Sequence, residues 1–82
     1  MPNSKEQIEK NREFVKQELT RLYKFIEGKN LVFACLIHWE PFRDRLESRV
    51  AYFEERYEAA LWKDMMDKQY SKLKIPYEIY IS

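Results

Sequence analysis

The stretch FRDRLESRVAYFEERYEAALWKDMMDKQYSKL, residues 42–73, decides how this chain is read. It holds no Gly and no Pro, and helix-forming residues dominate it. That pattern predicts one helix of 32 residues, about 48 Å long at 1.5 Å per residue. Phe42, Leu46, Val50, Phe53, Tyr57 and Leu61 share one side of its wheel at 100° per residue. Trp62, Met66, Tyr70 and Leu73 fall on the opposite side. A straight helix with two apolar faces must bury two surfaces. One is a second helix of the same chain, and the other is a second subunit centred on Trp62, Met66 and Tyr70. A kink near Ala60, folding both halves onto one core, is the alternative.

Upstream, Ile8, Val15, Leu19, Leu22 and Ile26 lie within about 60° on a wheel, which predicts a first helix over about 4–27. Asn3 or Ser4 can cap its start, and Gly28 suits the left-handed position just past its end. Phe14, Tyr23 and Phe25 widen its apolar face. Glu6–Lys10, Glu9–Arg12 and Glu18–Arg21 are spaced to pair along it. Residues 31–39, LVFACLIHW, form a short buried segment with no polar period, readable as strand or as helical turn. Pro41 biases Glu40 away from helical angles, so a break falls at 39–41 on either reading. The tail alternates, with Ile75, Tyr77, Ile79 and Ile81 on one side and Pro76, Glu78, Tyr80 and Ser82 on the other. That predicts a C-terminal strand over 75–81, with Pro76 at an edge or a strand start. The expected fold is therefore mainly α. Two long antiparallel helices, about 4–27 and 42–73, flank the short segment 31–39 and are followed by the tail strand.

Eighty-two residues make a single small domain, 1–82. Surface scaling gives a folded monomer of this mass about 5,300 Å² of exposed area and burial of roughly 64% of the unfolded chain's surface. That is thin, and a single Cys cannot supply an internal disulfide. Oligomerisation is the remaining rescue. Aromatic residues at 16% argue against disorder, and a net charge of +1 gives no bulk attraction to nucleic acid. The start lacks the apolar core of a secretory signal, and the longest apolar run, 31–37, is too short to span a bilayer. A cytoplasmic protein with no membrane partner is expected.

Chemistry-bearing residues are sparse. His38, Trp39, Glu40, Arg43 and Asp44 are the densest polar-aromatic group, and capping or an interface suits them better than acid–base catalysis. Cys35 sits among Phe33, Ala34, Leu36 and Ile37, which favours a buried structural thiol. Glu47, Glu54 and Glu58 read as a solvated face without a Glu-x-x-His partner. No catalytic residue, cofactor or metal site is expected. Trp62, Met66, Tyr70, Tyr77 and Tyr80 are the candidate protein-binding or oligomer residues, with Trp39 beside them, because Tyr and Trp bring area with a polar handle. The expected function is a small non-enzymatic regulator or inhibitor. It binds a protein partner through helix-face aromatics and the tail strand, as a homo-oligomer. The alternative is phosphate binding, to nucleic acid or a nucleotide, through a basic stripe on the second helix: Arg45, Arg49, Arg56 and Lys63, with Tyr52 to stack on a base.

Overall fold

The computed structural model describes residues 5–82, with the side chains from Glu6 onward. The expected caps Asn3 and Ser4 lie outside the described residues. A first helix, α1, covers Lys5–Ile26 and ends before Gly28, whose φ of +74° only glycine adopts without strain. Then the chain departs from the two-helix hairpin. Val32–Glu40 is a strand, β1, and Arg45–Phe53 is a second strand, β2. The helix α2 begins only at Arg56 and runs to Leu73, and Tyr77–Ile81 is β3. The three strands form one antiparallel sheet in the order β2-β1-β3. This is an α+β fold built on a central sheet. The expected 32-residue helix over 42–73 is in fact a turn, a strand and an 18-residue helix.

A spacing of four residues explains the difference. Leu46 and Val50 stand 40° apart on a helix wheel, but on a strand they also share a face, because four is twice the strand period. Neither end of β2 is marked by Gly or Pro within 42–55. Glu40 O accepts from Arg43 N–H at 3.3 Å across a turn with Pro41 second, a position that suits proline. Asp44 closes the hairpin at φ 51°, a left-handed angle Asp tolerates. Phe42, expected in a helix core, stands on this turn and is 97% exposed. At the other end of β2, Glu55 N–H donates to the Glu58 carboxylate at 3.1 Å, and Glu58 N–H donates to the Glu55 carbonyl at 3.1 Å, starting α2.

Strand parity divides the core. Phe33, Cys35 and Ile37 of β1 face α1 and pack with Leu22, Val15, Leu19, Ile26, Leu46, Val50 and Tyr80. Leu36 faces the other way, against Met66 and Tyr70 of α2, with Trp62, Ile75, Tyr77 and Ile79 around them. Each helix therefore covers one face. A central strand buried on both faces reads as an unbroken apolar run, which is why residues 31–37 show no polar period. The tail strand pairs within the chain, Ala34↔Ile81 through His38↔Tyr77, and Ser82 N–H donates to Phe33 O at 3.1 Å.

Candidate interaction surfaces

Helix α2 carries the expected residues Trp62, Met66 and Tyr70 on one side. Met66 and Tyr70 are buried against the sheet at 4% and 6% exposure, and Trp62 is half-buried beside them. This face, expected to meet a second subunit, meets the chain's own β1 and β3. The opposite side of α2 presents Tyr57, Leu61 and Met65, exposed by 66%, 64% and 53%. Two apolar sides are thus present between residues 57 and 66, and the side the chain covers itself is the one expected to meet a second subunit.

Tyr77 and Tyr80 are half-buried on β3 and lie on opposite faces of the sheet. Tyr77 Oη donates to Asp67 Oδ1 at 3.0 Å, and Lys63 Nζ donates to Asp67 Oδ2 at 3.2 Å. Those two bonds hold the Asp67 carboxyl below its ordinary range, Tyr77 contributing most. They also tie one flank of α2 to β3. Tyr80 hydrogen-bonds Glu78, and burial first, then that bond, pushes its phenol up to about 12.

The five residues of the expected basic stripe do not align. Arg45 and Arg49 lie on the α2 face of β2, and Tyr52 lies on its α1 face. Arg56 opens α2 and Lys63 is occupied by Asp67. Arg45 Nη2 pairs with Glu47 at 2.8 Å, and Arg49 Nη1 donates to Tyr70 Oη at 3.3 Å. The polar-aromatic group at the hairpin is also divided, since parity sends His38 toward α2 and Trp39 toward α1. The His38 ring stands 5.2 Å from Tyr70, and its Nδ1 is buried without a hydrogen-bond partner.

Cys35 is fully buried in the sheet, and burial pushes its thiol up to about 11. In the unfolded chain the thiol ionises near its ordinary 9.0, so above that pH the unfolded state binds fewer protons than the folded one. Stability should therefore fall as pH rises from about 9 to 11, by something of the order of 2 kcal/mol. Urea titrations of the wild type and Cys35→Ala across that range check this, because the variant lacks that component of the fall.

Two surfaces remain. The first is an open groove of about 630 Å³ between the first half of α1 and the sheet, with Ile8, Val15, Ile37 and Leu46 in it and Arg12, Lys16 and Glu78 around it. The second is the outer edge of β2, nine residues long and paired with β1 on its other side only. Trp39 N–H donates to Pro76 O and Phe33 O accepts from Ser82 N–H, so the odd-numbered residues of β1 bond toward β3. By antiparallel alternation its even-numbered residues bond toward β2, matching Arg45, Glu47, Arg49, Ala51 and Phe53. The backbone groups of Leu46, Ser48, Val50 and Tyr52 then point outward, away from the sheet.

Apolar groups flank that edge on its α1 face. On α2, Leu61 and Met65 are exposed on the flank away from Asp67, which is fixed to β3. On the α1 side, Phe25 contacts Tyr52 with ring centroids 4.9 Å apart, and the two are 49% and 38% exposed. Sequence reasoning missed this edge because it read β2 as helix. The signal available was the β-branched and aromatic run Val50-Ala51-Tyr52-Phe53. Among the described residues no group of three His, Cys, Asp or Glu side chains is placed to hold a metal. No described helix is long and apolar enough to cross a membrane. No family model, curated protein or solved structure matches this chain.

Proposed function

We propose that the chain is a small non-enzymatic protein-binding module, a regulator that acts by adding a strand of another polypeptide to the outer edge of β2. One observation carries the proposal: a nine-residue edge strand with outward backbone donors and acceptors, bordered on its α1 face by the exposed pair Phe25 and Tyr52. Such an edge is a template for pairing, and main-chain bonds supply affinity while the flanking side chains supply specificity. The tail strand, expected to play this part, has its inner edge occupied by β1, and its open edge is only five residues long and starts after Pro76. The reading assigns no catalytic step to the chain's one thiol, which is buried in the sheet.

Ser48→Pro tests the reading. Its N–H points outward, so proline at 48 removes an edge donor and spares the ladder to β1. It also removes the 2.7 Å bond from Ser48 Oγ to Glu18, which Ser48→Ala removes alone and so controls for. Wild-type protein used as bait should retain a protein that the Ser48→Pro bait loses, with the circular dichroism of the two baits alike. A foreign protein, or untagged copies of this chain added to the bait, held equally by both baits would overturn binding at this edge.

A further inference from the structure

We infer that the polypeptide added at the β2 edge is a second copy of this chain, joined by antiparallel β2–β2 pairing centred on Ser48. The inference rests on the edge-binding reading and names its partner.

Register is the argument. An antiparallel join of two identical edges has a two-fold axis, and outward-bonding residues must meet outward-bonding residues. With Ser48 opposite Ser48 of the second copy, Leu46 meets Val50 twice and the backbone bonds fall on these pairs. Between them, at the non-hydrogen-bonded positions where side chains come closest, Glu47 meets Arg49 twice. Opposite charges thus face each other at both positions. Centring the join on Arg49 instead engages all nine residues but sets Arg49 against Arg49. Centring it on Glu47 sets Glu47 against Glu47 and Arg45 against Arg49. A centre at Val50 leaves Glu47 opposite Phe53 and Arg49 opposite Ala51. Charge selects the Ser48 register, because like charges directly opposite are destabilising.

The same join covers what the monomer leaves open. It matches faces, so the sheet continues as β3-β1-β2-β2-β1-β3 with both α1 helices on one side and both α2 helices on the other. Phe25 and Tyr52 then border the join on the α1 face. The isolated chain exposes 6343 Å², about 1,000 Å² more than a monomer of its mass is expected to show. A standard protein interface removes about 800 Å² from each partner. That excess belongs to the whole surface, the open groove along α1 included, and leaves room for an interface without placing it at this edge.

Glu47→Arg and Arg49→Glu test the register, each acting twice across the axis. Within the chain, Glu47 pairs with Arg43 and Arg45, and Arg49 donates to Tyr70. Circular dichroism and a urea midpoint are therefore taken for each variant, and rescue on mixing separates lost pairing from lost folding. By sedimentation velocity over a range of concentrations, the wild type should run as a dimer of the 10.2 kDa chain. Each variant alone places like charges at both positions and should associate at least about tenfold more weakly. Mixed in equal amounts, the two variants again set a cation against an anion at both positions, and the dimer should return. A monomeric wild type would overturn self-pairing, while a foreign protein lost by Ser48→Pro would still support the edge. A dimer indifferent to Ser48→Pro and to both charge changes would overturn self-pairing and the edge-binding reading together.

Discussion

Ending the chain after Lys74 is expected to abolish cooperative unfolding and leave a species without fixed tertiary packing. The eight residues removed contain β3 and the approach to it. Ile75, Tyr77 and Ile79 pack on the α2 side of the sheet and Tyr80 on the α1 side, so both cores lose part of their cover. Half-burial of each of these large side chains contributes about 1 kcal/mol or more. Loss of the ladder from Ala34↔Ile81 to His38↔Tyr77 adds unpaired backbone along one edge of β1, whose side chains from Phe33 to Ile37 are buried. A domain of this length has about 4–12 kcal/mol of stability in total, so the truncation removes most of it. Near-ultraviolet circular dichroism and a urea titration decide the point. A truncated chain with the wild-type near-ultraviolet spectrum and a sharp transition would show that the tail is dispensable, as a helical hairpin with an appended strand would allow.

Phe33→Ala should destabilise the fold by about 3–5 kcal/mol, and Phe42→Ala should change stability by less than about 0.5 kcal/mol. Phe33 is fully buried at the centre of the α1-side core, with the Tyr23 ring edge-on at a centroid distance of 4.9 Å. Removing its ring leaves a cavity walled by β1 and α1 that cannot collapse without moving the sheet. Phe42 is 97% exposed on the hairpin turn and supports nothing around it. The pair separates the two architectures. In a helix over 42–73 Phe42 would head an apolar face and its loss would be felt. Urea midpoints for the two variants against wild type, with unchanged slopes, give the measurement. Equal destabilisation by both would contradict a turn at 41–44.

The parts of the fold legible in the sequence are those where only one period fits the residues. In α1, Val15, Leu19, Leu22 and Ile26 are spaced by four, three and four, and the step of three would place Leu19 and Leu22 on opposite faces of a strand. Gly28 then marks the end of the helix with a positive φ. In the tail, Ile75, Tyr77, Ile79 and Ile81 alternate at a period no helix shares. Residues 31–39 stayed ambiguous because a strand covered on both faces has no polar positions to reveal its period. The failure lies in 42–55, where the steps of four from Phe42 to Val50 fit both geometries and the punctuation is unmarked. The step of three to Phe53 is tolerated because β2 has a helix on each face. Asp44 takes the left-handed angle that glycine usually takes, and Glu54-Glu55 joins β2 to α2 without Gly or Pro.

The same failure displaced the candidate residues. Read as one helix, β2 and α2 lined up Arg45, Arg49, Tyr52, Arg56 and Lys63. As a strand and a helix they are spread over two faces and two elements. The two apolar sides of residues 57–66 were visible, because α2 is a helix there. Which side the chain covers itself was not, because that depends on a sheet built from residues far away in sequence.

The most direct test of the β2 edge is residue-resolved amide hydrogen exchange along Arg45–Phe53, at low and at high protein concentration. At low concentration, Glu47, Arg49, Ala51 and Phe53 should be protected by their bonds to β1, and Leu46, Ser48, Val50 and Tyr52 should exchange quickly. At high concentration the second set should become protected as well, Ser48 and its neighbours most, because the edge is then paired. Fast exchange of those four amides at every concentration, with or without a bound protein partner, would contradict the account.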